Sequence, residues 1–133
     1  MTISLALLLL RIGAGGLLLG GHGWSKLMHF GERAATFADP IGLGSAASLT
    51  LVVGAEVFCA ALVIMGLGTR FATIPILIFL VVAAFVQHAA DPFGKKELPL
   101  LYMVPFLALL ITGGGRYALD ATISRVMGRW WKR

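Results

Sequence analysis

Four long apolar segments divide the chain, and their length predicts membrane-spanning helices. They cover roughly residues 3–21, 46–67, 71–86 (or to 88) and 98–112. A helix that crosses a bilayer needs about 20 predominantly apolar residues, and the fourth segment is short by that measure. This pattern predicts an all-α fold, an integral membrane four-helix bundle.

The polar connections between these segments differ in kind. Residues 22–45 form a long link that contains Gly, His, Lys, Glu, Asp and Pro, whereas residues 66–70 read as a tight turn. Residues 89–97 contain Asp, Pro, Gly, Lys and Glu, which are typical of a turn or loop. No internal repeat and no low-complexity segment interrupts this order, so the chain reads as one bundle.

The C-terminus has an amphipathic pattern that predicts a short interfacial helix. The apolar positions at helical spacing are Leu119, Ile123, Val126 and Trp130. The polar face consists of Arg125, Arg129, Lys132 and Arg133, and the pair Trp130-Trp131 suits the head-group zone. We therefore expect a four-span domain over residues 1–118 and a basic amphipathic tail over 119–133; an ordinary basic stop after the last span is the alternative.

Composition agrees with a lipid environment. Of the 133 residues, 59% are hydrophobic and only 13% are charged, with a mean hydropathy of +0.92. A soluble domain carries about 25% charged residues, so a soluble enzyme, a disordered chain and a nucleic-acid module are excluded. The net charge of +5 then reads as a set of cytoplasmic anchors rather than a nucleic-acid surface.

The distribution of Lys and Arg predicts the orientation. With four spans both termini share one side, which would hold six of these residues against four on the other. The positive-inside rule therefore predicts cytoplasmic N- and C-termini. The first apolar segment lacks a basic start and a small-x-small cleavage site, so we expect an uncleaved span rather than a signal peptide.

Two ionisable residues fall inside predicted spans and are candidates for function. Arg11 interrupts the first apolar segment, and Glu56 lies near the middle of the second. Because an isolated charge in hydrocarbon is costly, we expect Arg11 and Glu56 to form a buried ion pair, which is either structural or part of a cofactor site.

A second set of polar residues is expected at the opposite face of the membrane. His22 and Lys26 follow Arg11 on the same helical stripe if the first helix continues past residue 23. His88 ends the third span on that side, Glu97 begins the fourth, and Tyr102 lies about one turn deeper. We expect these side chains to converge at one mouth of the bundle.

Metal and thiol chemistry are not indicated. No spacing fixes two histidine ligands on one helix, so no metal site is predicted. The single cysteine, Cys59, excludes an intrachain disulfide, and neither a CxxCH haem motif nor a dinucleotide-binding GxGxxG after a strand is present.

Glycine-rich spacing on the first span predicts close helix packing. Gly16 and Gly20 form a GxxxG pair, a spacing that lets helix backbones approach in lipid. We expect this pair to pack within the bundle, and homodimerisation is the alternative.

An ordered set of motifs resembles the DoxX family of small bacterial inner-membrane proteins. The matching pieces are Leu10-Arg11, the run His22 to Leu27, Glu56, Gly68-Thr69-Arg70, His88, Glu97, Leu100-Leu101-Tyr102 and the run Gly113 to Ala121. The last run resembles the GxGxxSLD ending of the family. Together the pieces cover roughly residues 5–121.

The resemblance implies a four-helix protein of the bacterial inner membrane that works with a redox enzyme. The founding members of the family are similar to a small subunit of thiosulfate:quinone oxidoreductase, and others are linked to membrane redox and thiol-stress complexes. It implies a quinone as cofactor, and the bilayer and a redox enzyme subunit as partners, without nucleic acid. Whether the chain is itself an enzyme is left open.

The resemblance and the polar residues together give candidate roles at a quinone. The residues expected to act on protons at its head group are His22, Lys26, His88 and Glu97. Those expected to hold the cofactor are Arg11, Glu56 and Tyr102. Two other functions remain open: a non-catalytic membrane scaffold that recruits a soluble redox partner, and a small ion or metal transporter.

Overall fold

The structure, a computed structural model, describes the backbone of residues 2–130 and the side chains of residues 2–125. Every regular element within that part of the chain is a helix, which confirms the predicted all-α fold. The helices are α1 (Thr2–Met28), α2 (Phe30–Arg33), α3 (Ser45–Met65), α4 (Thr69–Gln87), α5 (Phe93–Thr112) and α6 (Leu119–Trp130).

The four long helices α1, α3, α4 and α5 pack side by side in alternating directions. Gly15 of α1 lies against Ile64 of α3, and Gly23, further along α1, lies against the earlier residue Glu56, so these two helices are antiparallel. Arg70, at the start of α4, donates a hydrogen bond to the carbonyl of Ile111 at the end of α5 (3.0 Å). α5 therefore runs the full length of α4 and completes the bundle.

The two ends of the bundle carry different polar residues. We call the end that holds Arg11, Arg70 and Tyr117 the arginine end. The opposite end, which holds Lys26 and Glu56, is the pocket end.

The core lies on the bundle axis and consists of close-packed apolar side chains from all four long helices. Its most buried members include Leu18, Val63, Ile76, Leu80 and Phe106, each at most 2% exposed. The outer surface is also apolar: Ile3, Phe71 and Ile111 are 76%, 81% and 74% exposed. An apolar belt of this kind is unfavourable in water and expected in lipid.

Within residues 2–130, three helices are long and apolar enough to cross a membrane, namely α1, α3 and α4. α5 has 20 residues, but Lys95, Lys96 and Glu97 lie in its first turns. Its apolar part is correspondingly shorter, so by length and composition the fourth predicted span is not confirmed, although the helix exists and packs along α4.

The tight turn predicted at residues 66–70 is confirmed. α3 ends at Gly66, which is left-handed (φ +75°), and Gly68 is left-handed as well (φ +52°). The amide of Leu67 donates to the carbonyl of Leu62, closing the last turn of α3 as a helix-ending glycine motif does. The chain reverses within three residues, which places α3 and α4 side by side.

The prediction that Gly16 and Gly20 pack inside the bundle is wrong. A Cβ added to either would meet nothing within 4 Å, so both face outward. The close helix approach uses Gly15 and Gly23 instead, where an added Cβ would come within 2.8 Å of Ile64 and of the Glu56 carbonyl respectively. Small residues therefore do let α1 approach α3, but they lie on the face of α1 that carries Gly15 and Gly23.

The C-terminal helix predicted from residue 119 onward is present as α6. Asp120 attaches its start to the α3–α4 turn, because its carboxylate accepts the amide of Gly68 (2.7 Å). Leu119 and Ile123 are exposed, as an interfacial helix requires. The predicted contributions of Trp131, Lys132 and Arg133, and of the side chains of Val126, Arg129 and Trp130, lie outside the part of the chain that the structure describes. The position of α6 on a bilayer surface stays a prediction.

Candidate functional site

A half-open polar pocket of about 240 Å³ lies between α1, α3, α4 and α5 at the pocket end. Its polar lining comprises His22, Lys26, Glu56, His88, Lys95 and Tyr102. Its apolar lining comprises Leu18, Phe79, Leu80, Ala83, Leu98 and Pro99. Five of the seven residues expected to form a site therefore line one pocket. Their expected convergence followed from the order of the helices and from the depth of each residue along its helix.

The closest polar contact in the pocket is an ion pair between α1 and α3. Lys26 Nζ lies 2.6 Å from Glu56 Oε2. The Glu56 side chain is 2% exposed, whereas that of Lys26 is 18% exposed and opens on the pocket. The Glu56 carboxylate thus holds the ammonium at the wall of the pocket, where a ligand can reach it.

The ammonium keeps a free donor for a ligand. Lys26 donates to Glu56 and makes a long 3.5 Å contact to the carbonyl of His22. An ammonium has three donors, and among the side chains and carbonyls of residues 2–125 no third acceptor is found. A ligand oxygen in the pocket can accept that third hydrogen.

Each of the three membrane helices contains a π-helical turn at the level of the pocket. These turns are Leu19–Gly23, Gly54–Cys59 and Ala83–Gln87. A π turn inserts one residue and rotates the following side chains, and such turns are often found at functional sites. Here they carry His22 and Glu56 and immediately precede His88, so the local backbone directs the polar side chains inward.

His22 and Tyr102 form the aromatic wall of the pocket. Their rings meet edge to face at a centroid distance of 5.9 Å. The ring of Tyr102 stacks on the buried Phe106 at 6.5 Å, which fixes the tyrosine against the core. The wall therefore offers an imidazole and a phenol on a rigid apolar support.

His88 closes the pocket at the C-terminal end of α4. Its Nδ1 lies 2.7 Å from Asp91 Oδ2 in the following loop. This hydrogen bond from His88 holds the pKa of Asp91 below its ordinary value. The pairing orients the imidazole of His88, which lines the pocket.

The expected place of Glu97 at the pocket is wrong, and Lys95 takes it. Glu97 is exposed and absent from the pocket lining, whereas Lys95 lines it. On α5 the residues 95, 98, 99 and 102 fall on one helical face, but Glu97 is about 140° away from Tyr102. The sequence contained this signal, because the spacing from Tyr102 selects Lys95 over Glu97.

The predicted ion pair between Arg11 and Glu56 is also wrong. Arg11 is fully buried at the arginine end, where its guanidinium donates to the carbonyls of Tyr117 (3.1 Å) and Ile64 (3.4 Å). The antiparallel register sets Glu56 beside Gly23, which is 12 residues, or about 18 Å, along α1 from Arg11. An arginine side chain does not span that distance.

Arg11 instead joins three segments. Ile64 lies in the last turn of α3, whose terminal carbonyls lack helical partners. A cation there satisfies a carbonyl and complements the negative end of the helix dipole. Tyr117 belongs to the α5–α6 connection, so Arg11 fastens that connection to α1 and α3.

Metal-binding geometry is not found in the described residues: no group of three or more His, Cys, Asp and Glu side chains is placed to hold an ion. Cys59 is a half-buried free thiol on α3.

Apolar antiparallel helices, a buried ion pair between two of them and a polar pocket at one end define a small multi-pass helical membrane protein. The family model DoxX matches residues 6–89, more than half of the chain, and the chain belongs to the DoxX family. It is similar to an uncharacterized protein of Haemophilus influenzae, with 31% identity over 108 residues, or 77% of this chain and 72% of the relative. No solved structure matches the chain.

Proposed function

We propose that this DoxX family protein is a quinone-binding subunit or accessory of a membrane oxidoreductase complex, and that the polar pocket receives the quinone ring. The observation that carries the proposal is the half-buried Lys26, held by Glu56 at the wall of a pocket that opens between membrane helices. The resemblance of the motifs to a family with quinone-linked members points in the same direction.

The residues present fit such a ring. A quinone presents two carbonyl oxygens on a flat apolar ring, and the pocket offers donors on Lys26, His22, His88 and Tyr102 above apolar walls. Its volume of about 240 Å³ suits one ring, because pockets for drug-sized ligands measure about 300–1,000 Å³. A bound quinone supplies the capacity to take up two electrons, which come from a partner enzyme, and two protons.

The side chains of the pocket have distinct tasks in this proposal. Lys26 donates to a ring oxygen and stabilises the negative charge that develops on it. Glu56 neutralises and orients that ammonium from the buried side. His22 and His88 act as the general acids and bases that exchange protons with that oxygen.

Binding measurements on the purified full chain test the proposal. A tailless benzoquinone should bind the wild type, and Lys26→Met or His22→Gln should weaken it by about tenfold or more, the usual effect of a lost charge-assisted hydrogen bond. Lys95→Gln and Glu97→Gln are a matched pair from one turn of α5, of which only the first should reduce affinity. Wild-type affinity in every folded pocket variant would contradict the proposal and favour a scaffold that recruits a soluble redox partner, and ion uptake without quinone binding would favour a transporter.

A further inference from the structure

A second, apolar cavity of about 380 Å³ lies beside the polar pocket, between α3 and α4 and beneath the loop at residues 37–41. Its walls include Phe37, Ile41, Leu51, Val52, Ile78 and Val82. Leu51 and Ile78 are 59% and 60% exposed on the lipid-facing side, so the cavity opens sideways into the bilayer. It has the shape of a groove along α4.

The two cavities are neighbours and share part of their lining. Phe79, Ala83 and His88 line both of them. The groove runs along α4 from Pro75 to Gln87, a length of about 18 Å at the helical rise. The groove therefore begins beside the polar pocket, within reach of an apolar chain attached to a ring there.

The groove itself offers little to a polar group. Among the side chains that the structure describes, the one buried polar group in its lining is Ser48, whose hydroxyl already donates to Asp39 (2.7 Å). The remaining polar residues are Gln87 and His88, both at the end that meets the polar pocket. The lining of the groove is thus polar at the end beside the polar pocket and apolar along the rest of its length. This distribution matches a linear molecule with one polar end and an apolar chain.

We propose that the groove holds the polyprenyl tail of the quinone whose ring occupies the polar pocket; this inference rests on the proposed function. A neutral ring can enter sideways from the bilayer, whereas a phospholipid keeps its charged head group at the surface. Glu56 lies 11 residues, about 17 Å, from the start of α3 at Ser45, well below that surface. The Lys26–Glu56 pair at the inner wall of the pocket, rather than Lys95 at its mouth, is therefore the contact that distinguishes a quinone ring from a phospholipid head group.

The experiment compares two probes, a dimethoxy-methyl-benzoquinone without a side chain and the same ring with a decyl chain, on the full chain in lipid nanodiscs. The variant Val82→Phe narrows the groove, and Val81→Phe is its matched control, because Val81 is exposed and outside both cavities. Val82→Phe should lower the affinity for the decyl compound by about tenfold, which corresponds to about two methylene groups that are no longer buried. The affinity for the ring without a side chain should not change. Val81→Phe should change neither affinity.

The outcomes separate this inference from the proposed function. Suppose that the wild type binds the ring without a side chain. If the decyl chain then adds no affinity, or if Val82→Phe lowers the affinity for both probes equally, the proposed tail site is wrong and the proposed ring site stands. If neither probe binds the wild type, the proposed function fails as well. A phospholipid that co-purifies with the wild type and is lost from Val82→Phe, with decyl affinity unchanged, would also overturn the inference. Leu51→Phe, on the α3 wall, repeats the test if Val82→Phe does not fold.

Discussion

Lys26 Nζ and Glu56 Oε2 lie 2.6 Å apart and join α1 to α3 at the level where both helices contain a π turn. The carboxylate is buried and the ammonium faces a pocket. The pair therefore stabilises helix packing and positions a cation for a ligand at the same time.

The ion pair should show strong coupling in a double-mutant cycle. Lys26→Met leaves Glu56 buried without its cation, at a cost on the order of 3–5 kcal/mol if the acid stays charged and less if it takes up a proton. Glu56→Gln should cost less, because Lys26 can turn into the open pocket. The double variant should recover part of the loss, measured as thermal unfolding in detergent.

Arg11 provides the control for this cycle. Because Arg11 and Glu56 lie at opposite ends of the bundle, the effects of Arg11→Met and Glu56→Gln on stability should add. Coupling between Arg11 and Glu56, or simple additivity between Lys26 and Glu56, would contradict the observed pairing.

Two nearby glycines should respond oppositely to alanine. Gly23→Ala would place a methyl group 2.8 Å from the Glu56 carbonyl oxygen and should destabilise the fold by about 1–3 kcal/mol, as overpacking does. Gly20→Ala adds its methyl to open space and should be neutral or slightly stabilising, because alanine favours helix. Equal unfolding temperatures for the two variants would show that α1 does not approach α3 through Gly23.

Much of the fold follows from the sequence, because helix length and apolar content are local properties. The apolar segments, the turn at residues 66–70 and the shared pocket of His22, Lys26, Glu56, His88 and Tyr102 were all predictable from spacing and depth. The partner of Glu56 was not, because it depends on the antiparallel register of α1 and α3. That register is set by which glycines face α3, and the sequence alone does not distinguish Gly15 from Gly16.

The π turns are a second feature that the sequence does not predict. A regular α-helix from Arg11 to Lys26 places both on nearly one stripe. The π turn at Leu19–Gly23 changes the phase between them. No residue pattern in that segment indicates the extra residue, so the π turn itself could be found only from the structure.

Asp39 should give the loop before α3 a pH-dependent stability. Hydrogen bonds from the Ser48 hydroxyl and the amides of Gly44 and Leu43 lower the pKa of Asp39 below its ordinary value of 3.8. Because the folded pKa is the lower one, the stabilisation is complete above the ordinary value and is lost as pH falls through the folded pKa. The difference in unfolding temperature between wild type and Asp39→Asn should be constant above about pH 5 and shrink in stronger acid. A difference that grows on acidification would contradict this assignment.

Reporter fusions should establish the predicted orientation. The six-to-four excess of Lys and Arg predicts that fusions after Arg70 and after Arg133 report cytoplasm, and that fusions near Asp39 and Lys95 report periplasm. The pocket end would then face the periplasm. A reporter after Arg133 that is active in the periplasm would reverse the orientation assigned to both ends of the bundle. A reporter near Lys95 that gives the same compartment as the one after Arg70 would show that α4 does not cross the membrane.

Photo-affinity labelling tests the central claim, that the polar pocket receives a quinone ring, most directly. An azido-quinone irradiated with the full chain in lipid should label peptides that contain residues 18–26, 79–88 and 95–102, the three segments that line the pocket beside Glu56. Excess unmodified quinone should abolish this labelling, and Lys26→Met should reduce it. Label confined to the arginine end, or spread over the lipid-facing surface without competition, would contradict the account.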